Sequence, residues 1–268
     1  TRSEKVASIM GTTYIHHLKG LSDDNCWALF KQRAFGYNED HHPNLSTIGK
    51  QIVKKCGGVP LAAKTLGSVM PFKREEREWL FVQESDLWDV SESDNGILPA
   101  LRLSFSHLAS HLKGCFAYCS IFPRNYTFKK EKLIQLWIAE GLIQSPEGRR
   151  SLEFIGNEYF DDLVWTSFFQ AVQRDDHGNI IEYKMHNLIH DLAQSVSGSE
   201  YLKLEDNNIV RSLSLIRHSS VVCDFSLYTI PETLYEVKKL RTLILVFPRG
   251  DLGEVPPGVF SRSRSEEH

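Results

Sequence analysis

Two histidines four residues apart, His186 and His190 in MHNLIHDLA, have the types and spacing of a zinc-binding helix face. Proteolysis on such a helix needs a glutamate directly after the first histidine as general base, and Asn187 stands there instead. An amide cannot accept that proton, so metalloprotease chemistry is set aside. His186 alone keeps a second possibility, an imidazole at a helix start that donates a hydrogen bond to a phosphate. The plainer alternative is a histidine that only caps its own helix. His107, His111, Cys115 and Cys119 offer four more soft ligands in steps of four. Each step rotates about 40° around a helix, so the four cannot converge on one tetrahedral ion. Core packing of two thiols explains them better.

The run CGGVPLAAKTLG, residues 56–67, is a third candidate. Glycine permits close backbone approach, and proline gives a rigid, flat apolar surface. The same run is also an ordinary loop-to-helix junction. One absence is informative. No G-x-x-x-x-G-K-[ST] occurs, and no strand ending in paired acidic residues precedes the first long helix. The phosphate cradle and magnesium ligands of a P-loop NTPase are missing from this chain, so ATP hydrolysis by it is not expected.

The elements that must hold these residues are mainly helical. Ser22 opens a helix with Asp23 and Asp24 in its first turn and Trp27, Ala28, Leu29, Phe30 and Phe35 on its apolar face. A second helix is expected from Leu45 to Cys56. Pro60 is placed as the first residue of a third, where its missing N–H costs nothing. REEREWLFVQESDLWDV reads as one amphipathic helix with Trp79, Leu80, Leu87 and Trp88 inward. Residues 1–20 read as a short helix or turn and then a strand edge.

The polar SESDNG run, residues 91–96, marks a boundary. Beyond it, Leu108, Leu112, Cys115, Phe116 and Cys119 recur at helical spacing, and Pro123 stops that helix. Thr127 is the expected cap of the next helix, which carries Leu133, Ile134, Leu136, Trp137, Ile138 and Leu142. A helix over 151–168 precedes a hairpin of FFQAVQR and IIEYKM, and a helix from His186 to Ser197 closes the unit. Leu240, Leu243 and Leu245 then fit L-x-x-L-x-L, the core of a leucine-rich repeat, although Pro248 stands where asparagine is expected.

With 268 residues there is room for two small domains, and 41% hydrophobic with 24% charged residues marks a globular chain. A net charge of −3 and a pI near 6.4 supply no basic field for nucleic acid or anionic membrane. No apolar run approaches the roughly 20 residues needed to span a bilayer. Five cysteines without a paired framework point to reduced thiols and an intracellular setting. The opening TRSEKVASIM reads as the interior of a domain, so a fragment is expected.

Four segments, SDDNCWALFKQRAF, CGGVPLAAKTLG, the Cys115–Ile143 block and MHNLIHDLA, occur in this order. Together they resemble the plant nucleotide-binding, leucine-rich-repeat (NB-ARC, NBS-LRR) disease-resistance proteins, with the Cys115 block similar to the coiled-coil branch. The resemblance implies a C-terminal remnant of the nucleotide-binding α/β domain over 1–20, and a helical domain (ARC1) over 21–95. It further implies a winged-helix domain (ARC2) over 96–200, the start of a leucine-rich-repeat β/α solenoid over 201–247 and an irregular tail over 248–268.

It also implies ADP or ATP as cofactor, held weakly or not at all by this chain. Arg2 would belong to an arginine-bearing phosphate sensor, with a plain surface arginine as the alternative. Gly58, Val59, Pro60 and Leu61 would form the glycine-leucine-proline-leucine motif that packs on adenine, with Val59 where leucine is usual. Met185, His186 and Asn187 would form the methionine-histidine-aspartate switch, His186 touching the β-phosphate of ADP. Asn187 in place of aspartate keeps size and hydrogen bonding but loses charge.

The function so implied is part of a cytoplasmic immune receptor acting in defence and the hypersensitive response as an ADP/ATP switch. Its partners would be a pathogen effector or guarded host protein, its own nucleotide-binding domain, and further copies in an oligomer. No membrane partner is implied. The alternatives are a winged-helix DNA-binding protein, on the strength of Lys129, Lys130 and Lys132, or an inactive truncated product.

Overall fold

The computed structural model describes residues 4–11, 16–36, 43–89, 99–145, 150–204, 213–222, 234 and 237–246. Arg2, the tail over 248–268 and Cys223 lie outside the described residues. The chain divides into two compact units, Thr1–Glu84 and Ser85–His268.

The first unit is helical. Its opening helix α1 (Glu4–Ile9) buries no residue. The strand edge expected there is not seen over the described residues 16–20, and 12–15 lie outside the described residues. In α2 (Asp23–Ala34) the Ser22 hydroxyl accepts from the Asn25 N–H at 3.4 Å, the cap expected from sequence. Cys26, Phe30 and Ala34, one turn apart, are its buried stripe, while Ala28 is exposed. α3 (Pro43–Lys55) buries Ile48, Ile52 and Val53. α4 (Pro60–Val69) begins on its proline as expected. α5 (Glu76–Gln83) directs Trp79 inward, its indole N–H donating to the Lys73 carbonyl at 3.0 Å.

The core is aromatic. Trp27 stacks on Phe30 at 5.8 Å, Phe35 on Trp79 at 5.2 Å, and Phe30 meets Trp79 edge-on at 6.1 Å. α2 and α4 cross so closely that a Cβ on Gly67 would lie 2.7 Å from the Phe30 carbonyl oxygen.

REEREWLFVQESDLWDV is not one helix. α5 ends at Gln83, and a separate 3₁₀ turn covers Asp86–Trp88. The cause is local: the Ser85 hydroxyl accepts from the Leu87 N–H at 3.3 Å and starts a new turn.

The second unit begins with α6 (Pro99–Ser106) and α7 (Ser110–Tyr118), which tightens into a 3₁₀ turn over Cys119–Ile121 before Pro123. Leu112, Cys115, Phe116 and Cys119 are buried as their spacing predicts, whereas Leu108, also buried, lies in the turn before α7 rather than on that helix. Next come β1 (Thr127–Phe128), α8 (Lys130–Ala139), α9 (Leu152–Trp165), β2 (Gln170–Arg174), β3 (Ile180–Lys184) and α10 (Asn187–Val196). The strands form an antiparallel sheet in the order β1-β3-β2. Helices followed by this small sheet make a winged helix.

Thr127 is therefore not a helix cap. It pairs with Lys184, which puts Phe128 opposite Tyr183, and α8 starts only at Lys130. Around Phe128 lie Phe169 at 4.9 Å and Phe160 at 6.2 Å, and Tyr183 meets Phe160 edge-on at 4.7 Å. Trp137 completes this core with no exposed surface. Burying Phe128 outweighs capping by Thr127, because a full aromatic side chain is worth about 1.5–3 kcal/mol and a cap about 1.

Beyond α10, β4 (Tyr201–Leu204), β5 (His218–Val222) and β6 (Thr242–Val246) lie parallel in chain order. Ile216, Val221, Leu234, Val237 and Leu245 form the core behind them, with Leu202, Leu240 and Leu243 against it.

Two predictions concern packing and backbone. Gly67→Ala should lower the stability of the first unit by about 1–3 kcal/mol in urea titration, since the intruding methyl meets backbone that cannot rotate away. Ser167 holds φ at 63° where the chain leaves α9. Ser167→Gly should therefore stabilise the second unit by roughly 1 kcal/mol in the same measurement.

Candidate functional site

The sequence candidates sit at two helix starts, one in each unit. In the first, α3 unwinds through Gly57 and Gly58, at φ of +60° and +75°. The Gly58 carbonyl accepts from the Leu21 N–H at 2.8 Å, and a Cβ on Gly58 would lie 2.8 Å from the Leu21 carbonyl oxygen. The close approach that Gly58 permits is thus to the chain's own backbone. Val59 is the extended N-cap of α4, without a side-chain cap, and Pro60 is exposed in its first turn. Leu61 turns inward, 9% exposed. Val59 and Pro60 leave an apolar step at the positive end of a ten-residue helix.

In the second unit, Met185 is buried at the end of β3 and anchors the turn into α10. His186 is the N-cap of α10 and is exposed. Its Nδ1 accepts from the Leu188 N–H at 3.1 Å, so the neutral ring carries its proton on Nε2. Of the two readings of His186 left open by sequence, the helix cap is the one seen. Asn187 opens the helix in an exposed position.

Sequence reasoning missed what holds this helix. His190 is 1% exposed, and its Nε2 lies 2.7 Å from the Phe122 carbonyl oxygen. Asp191, its side chain 10% exposed, pairs with Arg124. Both bonds tie α10 to the turn after α7. The four-residue step from His186 marks His190 as sharing its helix face, but nothing local in the sequence points to Phe122 or Arg124.

The other candidates have structural places. His111 stacks on Tyr159 at 4.3 Å. Cys115 and Cys119 are wholly buried, and burial pushes the Cys115 thiol up to about 12 and Cys119 well above its usual range. Lys130, one of the three lysines behind the DNA-binding alternative, lies 2.6 Å from Asp161 and over the Phe160 ring at 5.4 Å. It is folded onto α9. Among the described residues no helix is long and apolar enough to cross a membrane.

A three-stranded wing packed against α8 and α9, followed by a histidine-capped last helix, defines a winged-helix protein. Residues 121–193 match the family described as the disease resistance protein winged helix domain. The chain is 53% identical over 196 residues to disease resistance protein RGA2 of Solanum bulbocastanum, covering 73% of this chain and 20% of that protein. To the relative from the same species that bears the name RGA4 it is 52% identical over 263 residues, covering 97% and 26%. To disease resistance protein RPM1 of Arabidopsis thaliana it is 35% identical over 209 residues, covering 75% and 22%. The chain thus carries the winged-helix domain of disease-resistance proteins and is a partial homologue of the plant disease resistance proteins. It spans about a quarter of the length of the curated relatives it matches.

The cap can be measured. His186→Ala should cost about 1 kcal/mol of stability in urea titration, and His186→Asp, which caps through its carboxylate, should recover most of that loss.

Proposed function

We propose that this chain is the helical and winged-helix part of an intracellular plant immune receptor that distinguishes ADP from ATP. In this reading residues 21–95 are the helical domain, 96–200 the winged helix and 201–247 the first leucine-rich repeats. The observation that carries it is His186, whose Nδ1 is tied to the Leu188 N–H at 3.1 Å while the ring is exposed. The exposed imidazole thus stands at the positive end of α10, the environment a β-phosphate would seek. The apolar step at Val59 and Pro60 suits the face of an adenine. Arg2 would serve a terminal phosphate, and Asn187 offers an uncharged amide beside the histidine. Parallel strands with leucines turned inward support the repeat assignment.

The chain itself contributes no hydrolysis, since its sequence has no phosphate loop or magnesium ligands. ADP would join the nucleotide-binding domain to the winged helix, and exchange for ATP would release that contact and permit oligomerisation. The repeats would take a pathogen effector or a guarded host protein, and the output would be the defence response, including hypersensitive cell death.

Calorimetry with ADP tests the nucleotide reading. This chain alone should bind with a Kd on the order of 1 mM, about −4 kcal/mol, for want of a phosphate cradle. His186→Asp keeps the cap but replaces the donor by a negative charge, and should abolish the binding heat. Binding tighter than about 1 μM, or an unchanged heat in that variant, would contradict the assignment.

A further inference from the structure

The second unit buries a polar cluster that the nucleotide reading does not use. His218 and Thr242 open the parallel strands β5 and β6 and are paired in register. Strand alternation turns both away from the leucine core and toward Glu140, the C-cap of α8. The Thr242 hydroxyl donates to Glu140 Oε1. His218 Nδ1 lies 3.1 Å from Thr242 Oγ1 and 3.6 Å from Glu140 Oε2. A threonine hydroxyl has a single proton, here given to the carboxylate, so His218 Nδ1–H must donate to Thr242 Oγ1. The His218 and Glu140 side chains are only 8% and 9% exposed.

We propose that Glu140, Thr242 and His218 form a proton-operated clasp that fastens the parallel sheet to the winged helix, closed while His218 is neutral and opened by its protonation. The surroundings decide which form the closed state prefers. Tyr201 from β4 stacks on the imidazole at 4.8 Å, and Tyr118 from α7 meets it edge-on at 5.6 Å. Burial raises both phenols, Tyr201 to about 12, and raises the neighbouring Cys119 thiol, so none of these groups titrates near neutrality. Glu140 from α8 and Glu200 before β4 favour a charged ring, while Arg241 and Arg217, before β6 and β5, oppose it. Desolvation is the largest effect, and it holds His218 below its ordinary value.

A histidine whose pKa is depressed on closing stabilises the closed form above its free value of about 6.5, and that stability is lost as pH falls. The open population should therefore rise by up to about tenfold per pH unit below 6.5, and level off beneath the lowered value. The clasp stands apart from nucleotide binding and is tested without nucleotide.

The experiment is amide hydrogen exchange on the whole chain from pH 7.5 to 4.5, reading β5 and β6 against β3 of the wing in the same sample. The sheet should lose protection relative to the wing as pH falls. His218→Asn places an amide N–H near the position of Nδ1–H but cannot be protonated, and its protection ratio should stay flat across the range. Glu140→Gln keeps an acceptor without the charge that attracts the proton, and should move the levelling-off to lower pH. A flat ratio in the unaltered chain overturns the proposal, as does acid opening that His218→Asn does not remove. If His218→Asn does not fold, a Glu140→Gln profile identical to that of the unaltered chain overturns it.

Discussion

The burial of Phe128, Trp137, Phe160, Phe169 and Tyr183 in one aromatic cluster is the constraint from which the rest of the winged helix follows. Phe128 can enter that cluster only if Thr127 pairs with Lys184, which fixes the register of β3. A fixed β3 ends at Lys184 and drops Met185 into the interior, so the chain must turn at the next residue. His186 stands at that turn because of aromatic packing on the paired strands β1 and β3. Its imidazole closes the first turn of α10, and the Phe122–His190 hydrogen bond then holds the helix against the end of α7. Geometry at the candidate phosphate contact is thus set by hydrophobic burial first and by polar bonds second.

Local signals were legible in the sequence, and distant ones were not. Ser22 and Pro60 start the helices expected of them, and the stripe from Leu112 to Cys119 is buried as its spacing requires. Each of these follows from the conformational preferences of a few adjacent residues. Thr127 misled because its strand is only two residues long and its partner, Lys184, lies beyond two helices at the far end of the hairpin. The helix expected across Glu84–Trp88 failed for the opposite reason: apolar periodicity ran on, but the Ser85 hydroxyl offered the backbone a competing turn. At the candidate site, residue types gave His186 its two possible roles. The Leu188 bond shows the capping role, on a ring that stays exposed.

The two helix starts solve the same problem in different ways. Each must satisfy N–H groups that have no partner within the helix. α10 uses the imidazole of its own His186, and the shared nitrogen fixes the tautomer. α4 begins with Val59 and Pro60, where proline removes one N–H outright and no side chain caps the others. A planar apolar group met at α4, or an anion met at α10, would each find its own helix start ready as it stands. Such readiness is what the proposed switch requires, because each contact then discriminates by chemistry rather than by refolding.

A buried carboxylate at the end of α8 is harder to understand as a device for stability. The helix dipole places partial negative charge at that terminus, so Glu140 is disfavoured there even before desolvation is counted. Well-packed leucines at Glu140, Thr242 and His218 would hold the sheet more tightly, as the neighbouring core of Val221 and Leu245 shows is possible. What an apolar contact cannot do is fix one register and release under a change of charge. Thr242 accepts from one partner and donates to the other, so the contact forms only when β5 and β6 are aligned as His218 opposite Thr242. Tyr201 and Tyr118 then seal the cluster from water, which strengthens every bond inside it and makes an added charge costly. Specificity and responsiveness are obtained at the expense of adhesion, which is the trade expected of a joint that must open.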